Sequence, residues 1–483
     1  MRDGQPAAEG TAHAPRFEWK AGTSSAAETR GFAAAVRRGM DDLRSGDPQL
    51  YAMLDEEVRR QDESLVMVAS SSIAHADVLV SLASPIANVT AEGYPDRRFH
   101  AGCMVVDQVE ELAIERACGL FGARYANVQP HSASVANHLV MCGLLTPGAP
   151  VLGMNLHEGG HLTHGAKASM SGQYFQAHSY GLGPDGTIDY DTVAARARAV
   201  RPEMIICGAT AYSRIIDFAT FRAIADDVGA VLLADISHIA GLVVSGLHPS
   251  PIDKAHVTTT CTHKQLFGPR GAVILGGQDI DRPHARGTLR SRLQRSVFPF
   301  FQGAPAVNGI AAKARTFAWC ATQEFSELAT RIQDNARALA DRLASLGYDI
   351  VSGGTDNHIV LIDLTRKHVS GLVAEQALES VGIIVNKNFV PGDRRPASAT
   401  SGLRLGTNTL AARGMGPPEM NVCADMIDRV LTAVDTQDDR TWSLPAAEAV
   451  QAHQLVRNLA ASFPMGCYNL EPASAKAARP LVE

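Results

Sequence analysis

From about residue 105 to residue 310, short apolar runs alternate with longer segments in which apolar residues recur at helical spacing. Strand-like runs occur at residues 151–154, 204–207, 230–234 and 271–275, and helical patterns occur at residues 109–121, 134–145 and 218–228. Because parallel strands are joined by crossover helices, this alternation predicts an α/β fold with a mostly parallel sheet and helices on both faces.

The pattern also divides the chain into regions. Asp47 followed by Pro48 predicts the start of a helix that continues to about residue 61. A long helical pattern over about 305–346 leads to strand-like runs at 359–363 and 383–386, which predict a smaller α/β domain. With 483 residues the chain is too long for one ordinary core. We expect a mobile N-terminal extension over residues 1–47, a large domain with an N-terminal arm over 48–310, and a small C-terminal domain over 311–483 whose tail is frayed after about 472.

Composition and charge narrow the functional classes. Hydrophobic residues make up 46% of the chain and charged residues 19%, which is typical of a soluble globular protein. The net charge of −6 gives no basic footprint for nucleic acid. No apolar run approaches the roughly 18 residues of a membrane helix, and the N-terminus lacks the order of a signal peptide. We therefore expect a cytoplasmic protein with neither a membrane nor a nucleic-acid partner.

The eight cysteines are widely scattered and never form a Cys-x-x-Cys pair. Disulfide frameworks and zinc sites need tighter spacing. Free thiols and no bound metal are therefore expected.

The segment Val257-Thr-Thr-Thr-Cys-Thr-His-Lys264 carries the strongest chemical signal. A lysine amine can form a Schiff base with an aldehyde, while Thr, His and backbone N–H groups can hold a phosphate dianion. Pyridoxal phosphate (PLP) needs both, although a Thr-rich strand that ends in a surface lysine is the ordinary alternative. Within this segment, Cys261 is interpreted as a small packing residue.

Asp235 favours the cofactor interpretation. It follows the apolar run 230–234, at the carboxyl end of a predicted parallel strand, where open α/β sheets bind ligands. A carboxylate there can pair with the protonated pyridine nitrogen of PLP and keep the ring an electron sink. Because the next strand-like run ends near Lys264, both residues are expected at one edge of the sheet.

A set of ordered motifs then identifies a family. The motifs are Ala91-Glu-Gly-Tyr-Pro-Asp-Arg-Arg, Ala126-Asn-Val-Gln-Pro-His-Ser, Leu152-Gly-Met-Asn-Leu, Gly159-Gly-His-Leu-Thr-His-Gly, Thr262-His-Lys, Gly268-Pro-Arg-Gly, Gly353-Gly-Thr-Asp-Asn-His and Ser401-Gly-Leu-Arg-Leu-Gly-Thr. From about residue 48 to 470 the chain resembles the serine hydroxymethyltransferases, which are PLP enzymes of fold type I. The resemblance implies PLP as cofactor, tetrahydrofolate as cosubstrate, and a homodimer or homotetramer.

The resemblance also implies the cofactor contacts. Lys264 would carry the Schiff base, Asp235 would pair with the pyridinium nitrogen, and His161 would stack on the ring. His238 would lie near the ring oxygen and the substrate. The remaining cofactor contacts are implied for Ser132, Ser134, Thr210, His263 and, from the neighbouring subunit, Gly303.

Substrate and folate contacts follow from the same resemblance. Arg404 and Ser70 would hold the substrate carboxylate, which suits the bidentate fork of arginine. Glu92 would reach across the dimer interface, handle the proton on the hydroxymethyl group and contact the folate. The folate site would further be lined by Leu156, Gly160, Leu162 and Asn388.

Departures from the family pattern reshape the predicted substrate site. Thr90 stands where the family has a tyrosine close to the Cα of the bound amino acid, and the missing ring leaves room for a methyl group. His100 replaces a second tyrosine near the substrate carboxylate and can titrate near neutral pH. The usual Ser-Glu-Asn becomes Ser70-Ser71-Ser72, which removes a carboxylate, and Ala304 replaces a glycine beside the phosphate.

Threonine at position 90 is similar to what 2-methylserine hydroxymethyltransferases have. The sequence therefore predicts reversible one-carbon transfer between 2-methylserine and tetrahydrofolate, which gives alanine, by resemblance the D form, and 5,10-methylenetetrahydrofolate. One alternative is ordinary serine–glycine interconversion, and another is a folate-independent aldolase or threonine transaldolase. A catalytically idle scaffold or RNA-binding protein is disfavoured by the negative net charge and by the presence of Lys264, Asp235 and Arg404.

Overall fold

The computed structural model describes residues 30–285 and 287–468. The described residues divide into two units, one that ends at Tyr51 and one that begins at Ala52. Residues 1–29 of the extension predicted over residues 1–47, and the tail predicted after about 472, lie outside the described residues. Within the described ranges, no helix is both long and apolar enough to cross a bilayer.

The first unit contains helix α1 (Phe32–Gly46) and the start of helix α2 (Pro48–Glu63). Asp47 Oδ1 accepts the N–H of Leu50 at 3.1 Å, so the predicted Asp cap of α2 is confirmed. Helix α1 lies within the extension predicted over residues 1–47 and was not predicted, although apolar residues at Val36, Met40 and Leu43 have helical spacing.

The elements up to residue 320 in the second unit form a large sheet with its covering helices, together with the first three strands of the described chain, which lie outside that sheet. In chain order they are β1 (Leu65–Val66), α3 (Ala76–Leu82), β2 (Gly93–Tyr94), β3 (Arg97–Arg98), α4 (Met104–Phe121), β4 (Tyr125–Asn127), α5 (Ala133–Leu144), β5 (Pro150–Met154), α6 (Met170–Tyr174), β6 (Gln176–Tyr180), α7 (Tyr190–Val200), β7 (Met204–Cys207), α8 (Phe218–Val228), β8 (Val231–Asp235), α9 (Ala240–Val244), β9 (Val257–Cys261), β10 (Ala272–Gly276), α10 (Leu289–Arg295) and α11 (Val307–Cys320).

The large sheet has seven strands in the order β4-β10-β9-β8-β7-β5-β6. The strands from β9 to β6 run parallel, which confirms the predicted mostly parallel sheet. The strand predicted at 271–275 is β10, which runs antiparallel to β9 and β4. The expectation of parallel pairing was wrong there, because a loop without a crossover helix joins β9 to β10.

Helices cover both faces of this sheet. Side chains of consecutive strand residues point to opposite faces, so Leu232 packs in one core cluster and Leu233 in another. Both residues are fully buried, as expected for a strand inside a doubly covered parallel sheet.

The C-terminal part forms a smaller sheet with its own core. Its elements are α12 (Gln323–Ser345), β11 (Asp349–Ile350), β12 (Ile359–Asp363), α13 (Gly371–Ser380), β13 (Ile383–Ile384), β14 (Asn386–Asn388), β15 (Gly402–Gly406), α14 (Asn408–Ala412), α15 (Pro417–Ala433), β16 (Asp435–Thr436), β17 (Trp442–Ser443) and α16 (Ala446–Ser462). Strands β11, β12, β15 and β14 pair in that order and antiparallel, while β1 pairs with β13.

The single helix predicted over about 305–346 is two helices, α11 and α12. The chain breaks because Thr322 caps α12, its Oγ1 accepting the N–H of Phe325 at 3.3 Å. Helix α12 links the two cores, since Phe325 packs with the large sheet and Leu339 with the small one. The domain boundary expected at residue 310 stays a prediction.

Candidate functional site

A cavity of about 660 Å³ lies among residues that follow the carboxyl ends of β8 and β9. Asp235 ends β8, and the register places it beside Thr259 on the neighbouring parallel strand β9. Lys264 follows β9 by three residues and lines the cavity. Of the predicted site residues, its wall contains Ser70, His161, Thr210, His238, His263, Lys264 and Arg404.

Asp235 is a buried carboxylate held by several hydrogen-bond donors. Its Oδ2 accepts from Asn137 Nδ2 at 2.8 Å and from His164 Nε2 at 3.1 Å, while Oδ1 accepts from Ser237 Oγ at 2.6 Å. Burial alone would raise the pKa of Asp235, but His164, His161 and Ser237 hold it well below its usual value. The carboxylate is therefore ionised, as the partner of a cationic ring nitrogen must be.

His161 presents a neutral imidazole to the cavity. It caps the short 3₁₀ helix Leu162–His164, where its Nδ1 accepts the N–H of Thr163 at 3.2 Å. Burial lowers the pKa of His161 to about 4, so the ring is neutral with its proton on Nε2. This state fits the predicted stacking on a flat cofactor ring.

His161, His164 and Asp235 bring ligand-type atoms within 4.8 Å of one another. The hydrogen bond between His164 and Asp235 and the one between Thr163 and His161 Nδ1 already use part of this set. The expectation of no bound metal stays a prediction.

Thr210 and His238 are among the cavity side chains whose buried polar atoms have no hydrogen-bond partner in the described residues. The atoms are the hydroxyl of Thr210 and both ring nitrogens of His238. Burial, followed by the charges of Lys264 and Arg404, lowers the pKa of His238 well below its usual value. Unsatisfied buried groups are costly, so both side chains fit a ligand that bears oxygen atoms, as PLP does.

His263 offers a further donor. Its Nε2 faces Arg270 Nη1 at 3.3 Å, and a guanidinium can only donate, so Nε2 accepts. Burial lowers the pKa of His263 to about 4, and the single proton of the neutral ring is then on Nδ1, which has no partner in the described chain. A free N–H of this kind suits a phosphate oxygen.

Ser132 and Ser134 lie at the N-terminus of helix α5. Ser132 Oγ accepts the N–H of Val135 at 3.2 Å and caps the helix. Unpaired N–H groups and the positive end of the helix dipole make such a terminus suitable for a phosphate. Neither serine is among the residues that line the cavity, so their contact with the phosphate of PLP stays a prediction.

The threonines before Lys264 make hydrogen bonds inside the protein and are not free to bind a phosphate. Thr259 Oγ1 donates to Asn137 Oδ1 at 2.6 Å, and Thr262 Oγ1 donates to the carbonyl of Pro269 at 2.6 Å. Our expectation that these hydroxyls help to hold the phosphate was wrong, because they point into the buried interior. Cys261 is buried and its pKa is raised by burial, which agrees with a packing role, and the described cysteines are free.

Arg404, on β15, is a buried cation that has no carboxylate partner in the described ranges. Its Nε donates to Asn386 Oδ1 at 3.1 Å and its Nη1 to the carbonyl of Thr210 at 2.8 Å. Burial lowers the pKa of Arg404 to about 10, which leaves it charged at neutral pH. A buried unpaired charge is expensive, so this guanidinium indicates an anionic ligand in the cavity, where Ser70 also lies.

A second cluster contains Glu92, His100 and Gly303. His100 Nε2 lies 3.6 Å from Glu92 Oε2, and a Cβ on Gly303 would lie 3.3 Å from Glu92 Oε1. The side chains of Glu92 and His100 are 39% and 46% exposed, and Thr90 is exposed as well. None of these residues lines the 660 Å³ cavity of the same chain. The contribution of Glu92 and Gly303 to the site of a neighbouring subunit stays a prediction.

The residues predicted for the folate lie on adjoining segments. Leu156 is 36% and Leu162 49% exposed, each at the start of a short 3₁₀ helix. A Cβ on Gly160 would collide with the carbonyl oxygen of Met154, so only glycine fits there. The ring of His157 stacks on Phe389 at 4.2 Å, which brings this segment to the strand end that carries Asn388.

Sequence reasoning missed several residues that support the site. His164 stood in a quoted motif but was not assigned a role, and Asn137 was detectable as a polar residue on an apolar helix face. His358 stacks on His238 at 5.7 Å. Asn386 meets Arg404 only through the pairing of β14 with β15, which no local pattern reveals.

Comparison with known proteins agrees with this geometry. A model of the family described as serine hydroxymethyltransferase matches residues 43–427. The chain is 46% identical over 422 residues to a "Serine hydroxymethyltransferase" of Phenylobacterium zucineum, an alignment that covers 87% of this chain and 95% of the relative. It is 47% identical over 392 residues to a protein of the same name from a Nitratiruptor species, with 81% and 92% covered.

Proposed function

Because the chain belongs to the serine hydroxymethyltransferase family, we propose that it transfers the hydroxymethyl carbon of serine to tetrahydrofolate and releases glycine. It is a PLP-dependent hydroxymethyltransferase with tetrahydrofolate as cosubstrate. The observation that carries the proposal is the buried, uncompensated guanidinium of Arg404 in the cavity that Lys264 lines. It supports an amino-acid carboxylate as the group that fills this end of the site.

The chain's own residues divide the work. Arg404 binds the carboxylate of the amino acid and orients it, with Ser70 beside it. Asp235 would keep a negative charge beside the ring nitrogen of PLP, and Lys264 would provide the amine that holds the cofactor until the substrate amine displaces it. When bound, PLP supplies an electron sink for the negative charge that develops at the substrate Cα. Glu92 holds the proton of the hydroxymethyl group at its carboxylate.

We also propose that the enzyme is at least a homodimer. The rings of Phe99 and Phe300 are 73% and 65% exposed, and Phe99 contacts Phe298 near the cluster of Glu92 and His100. Large aromatic side chains that are exposed close together indicate a surface that binds another protein. A neighbouring subunit there brings Glu92 to the partner's cavity.

2-Methylserine is the second candidate donor. The sequence predicted it, but the relatives are named for serine, so the comparisons favour the ordinary reaction. Thr90 supports 2-methylserine as a donor, because a threonine where the family has a tyrosine leaves space for a methyl group beside the substrate Cα.

Turnover with two donors tests the proposal. The purified holoenzyme is given tetrahydrofolate and either serine or 2-methylserine, and glycine and the alanine enantiomers are quantified by chiral chromatography. We expect a higher kcat/KM with serine, whereas a higher value with 2-methylserine would replace the proposal by its second candidate. Thr90→Tyr should then abolish 2-methylserine turnover, while Thr365→Tyr at an exposed position serves as the control.

A further inference from the structure

Arg98 is a buried arginine that donates hydrogen bonds to the backbone on both sides of Glu92. Its side chain is 4% exposed, and it lies on β3 of the hairpin β2–β3. Its Nη1 donates to the carbonyl of Ala91 at 3.1 Å and to the carbonyl of Gly93 at 2.8 Å. The two residues that flank Glu92 are therefore bound to one guanidinium nitrogen.

Arg98 is itself fixed by two carboxylates on helix α4. Its Nε donates to Asp107 Oδ1 at 2.8 Å, and its Nη2 donates to Glu110 Oε2 at 2.5 Å. Burial opposes the charge, but the two carboxylates prevail and raise the pKa of Arg98. The rigid fork is thus charged and has one orientation.

Gln129 adds a second hold on the same carbonyl. Its Nε2 donates to the carbonyl of Gly93 at 2.9 Å and to Glu110 Oε1 at 2.8 Å. Gly93 has φ +97°, and a Cβ there would collide with the carbonyl oxygen of Arg97. The backbone after Glu92 is therefore sharply turned, and the carbonyl of Gly93 is held by both Arg98 and Gln129.

We propose that Arg98, held by Glu110, is a positioning residue that fixes the carboxylate of Glu92 for proton handling. The proposal rests on the proposed function, because it assumes that Glu92 acts on the hydroxymethyl group. Arg98 is buried and is not among the residues that line the 660 Å³ cavity, so it acts through the backbone on either side of Glu92. A misplacement of about 1 Å in a catalytic group costs about 100-fold in rate, so a small shift of this loop is enough.

A double-mutant cycle in the holoenzyme tests the proposal. The variants are Arg98→Lys, which keeps the charge but loses the fork, and the pair Arg98→Met with Glu110→Leu, which removes both charges together. Each is combined with Glu92→Gln. The measurements are kcat, KM for the amino acid, PLP absorbance and subunit assembly, with exposed Arg97→Lys as the control on the same strand.

We expect kcat to fall about 10- to 100-fold in both Arg98 variants while KM for the amino acid, PLP content and assembly stay unchanged. In the Glu92→Gln background neither variant should reduce kcat further. Losses that multiply with Glu92→Gln, a wild-type kcat in both variants, or loss of PLP or assembly in both would overturn the proposal. Failure of the proposed function is distinguishable, because the unaltered enzyme would then transfer no hydroxymethyl group from serine.

Discussion

Arg404 is a buried cation whose described partners are the neutral oxygens of Asn386 and Thr210. We predict that Arg404→Lys raises KM for the amino acid about 10- to 100-fold, since it exchanges a bidentate charged contact for a single one. Steady-state kinetics with serine measures this effect. Exposed Arg366→Lys is the control, and an unchanged KM in Arg404→Lys would remove the carboxylate from this position.

Lys264 is the amine at the cavity wall. Lys264→Ala should lose the covalent attachment of PLP and all measurable hydroxymethyl transfer, because no other described lysine lines this cavity. The fold should remain. Borohydride reduction followed by mass spectrometry detects the attached cofactor. Lys254→Ala at an exposed position should retain both the attachment and the activity, and PLP fixed to Lys264→Ala would contradict the assignment.

The protonation of His358 should make the stability of the fold depend on pH. Burial lowers its pKa to about 3, against about 6.5 for an exposed histidine, and its Nε2 donates to the carbonyl of Ala69 at 3.1 Å. The unfolded chain therefore binds the proton first, so stability is present above about pH 6.5 and falls as the pH drops toward 3.

This histidine alone adds a slope of up to about 1.4 kcal/mol per pH unit in that window. Urea denaturation at pH 7.5, 6 and 5 measures it. His358→Gln should unfold with a smaller dependence on pH than the wild type. An equal slope would show that His358 does not carry the effect.

At the scale of elements, the N-terminal cap of helix α5 is expected to affect both the stability of the fold and the affinity for PLP. Ser132→Ala removes its cap and should cost about 1 kcal/mol of stability as well as PLP affinity, because Ser132 is predicted to contact the phosphate of the cofactor. Ser370→Ala is a matched control, since Ser370 Oγ caps α13 by accepting the N–H of Val373 at 3.1 Å. Thermal unfolding and PLP titration separate the two effects. Equal PLP affinity in the two variants would contradict the phosphate role of Ser132.

The elements also show how far local sequence patterns reach. Helix α8 was predicted at its observed bounds from its helical spacing, and the structure shows that Asp217 and Gly229 cap its two ends. The break at Thr322 was missed because helical spacing continues on both sides of it. Asp235 and Lys264 were found because strand ends are readable, whereas the contact of Asn386 with Arg404 depends on long-range register.

At the scale of the whole molecule, the Glu92 cluster and the cavity are separate parts of one chain. If they complete each other between subunits, Phe99→Asp should produce monomers by analytical ultracentrifugation and remove activity, because a charge replaces an exposed aromatic contact. Val450→Asp, at a position 71% exposed on α16, is the control and should remain assembled. An active Phe99→Asp monomer would contradict the shared site.

Mixing Lys264→Ala with Glu92→Gln tests the same division by complementation. Hybrids of the two variants contain one intact site, so random pairing at equal amounts should restore about a quarter of the wild-type activity. After the same unfolding and refolding, Lys264→Ala alone should show no transfer and Glu92→Gln alone only its low residual turnover. No recovery in the mixture would place Glu92 in the site of its own chain.

Donor choice is the most direct test of the proposed function. Holoenzyme with tetrahydrofolate is titrated with glycine, D-alanine and L-alanine in turn, while the long-wavelength absorbance of the bound cofactor is followed. The account predicts a strong band with glycine and a weak one with either alanine. A strong band with an alanine and little with glycine would contradict it and assign the chain to 2-methylserine.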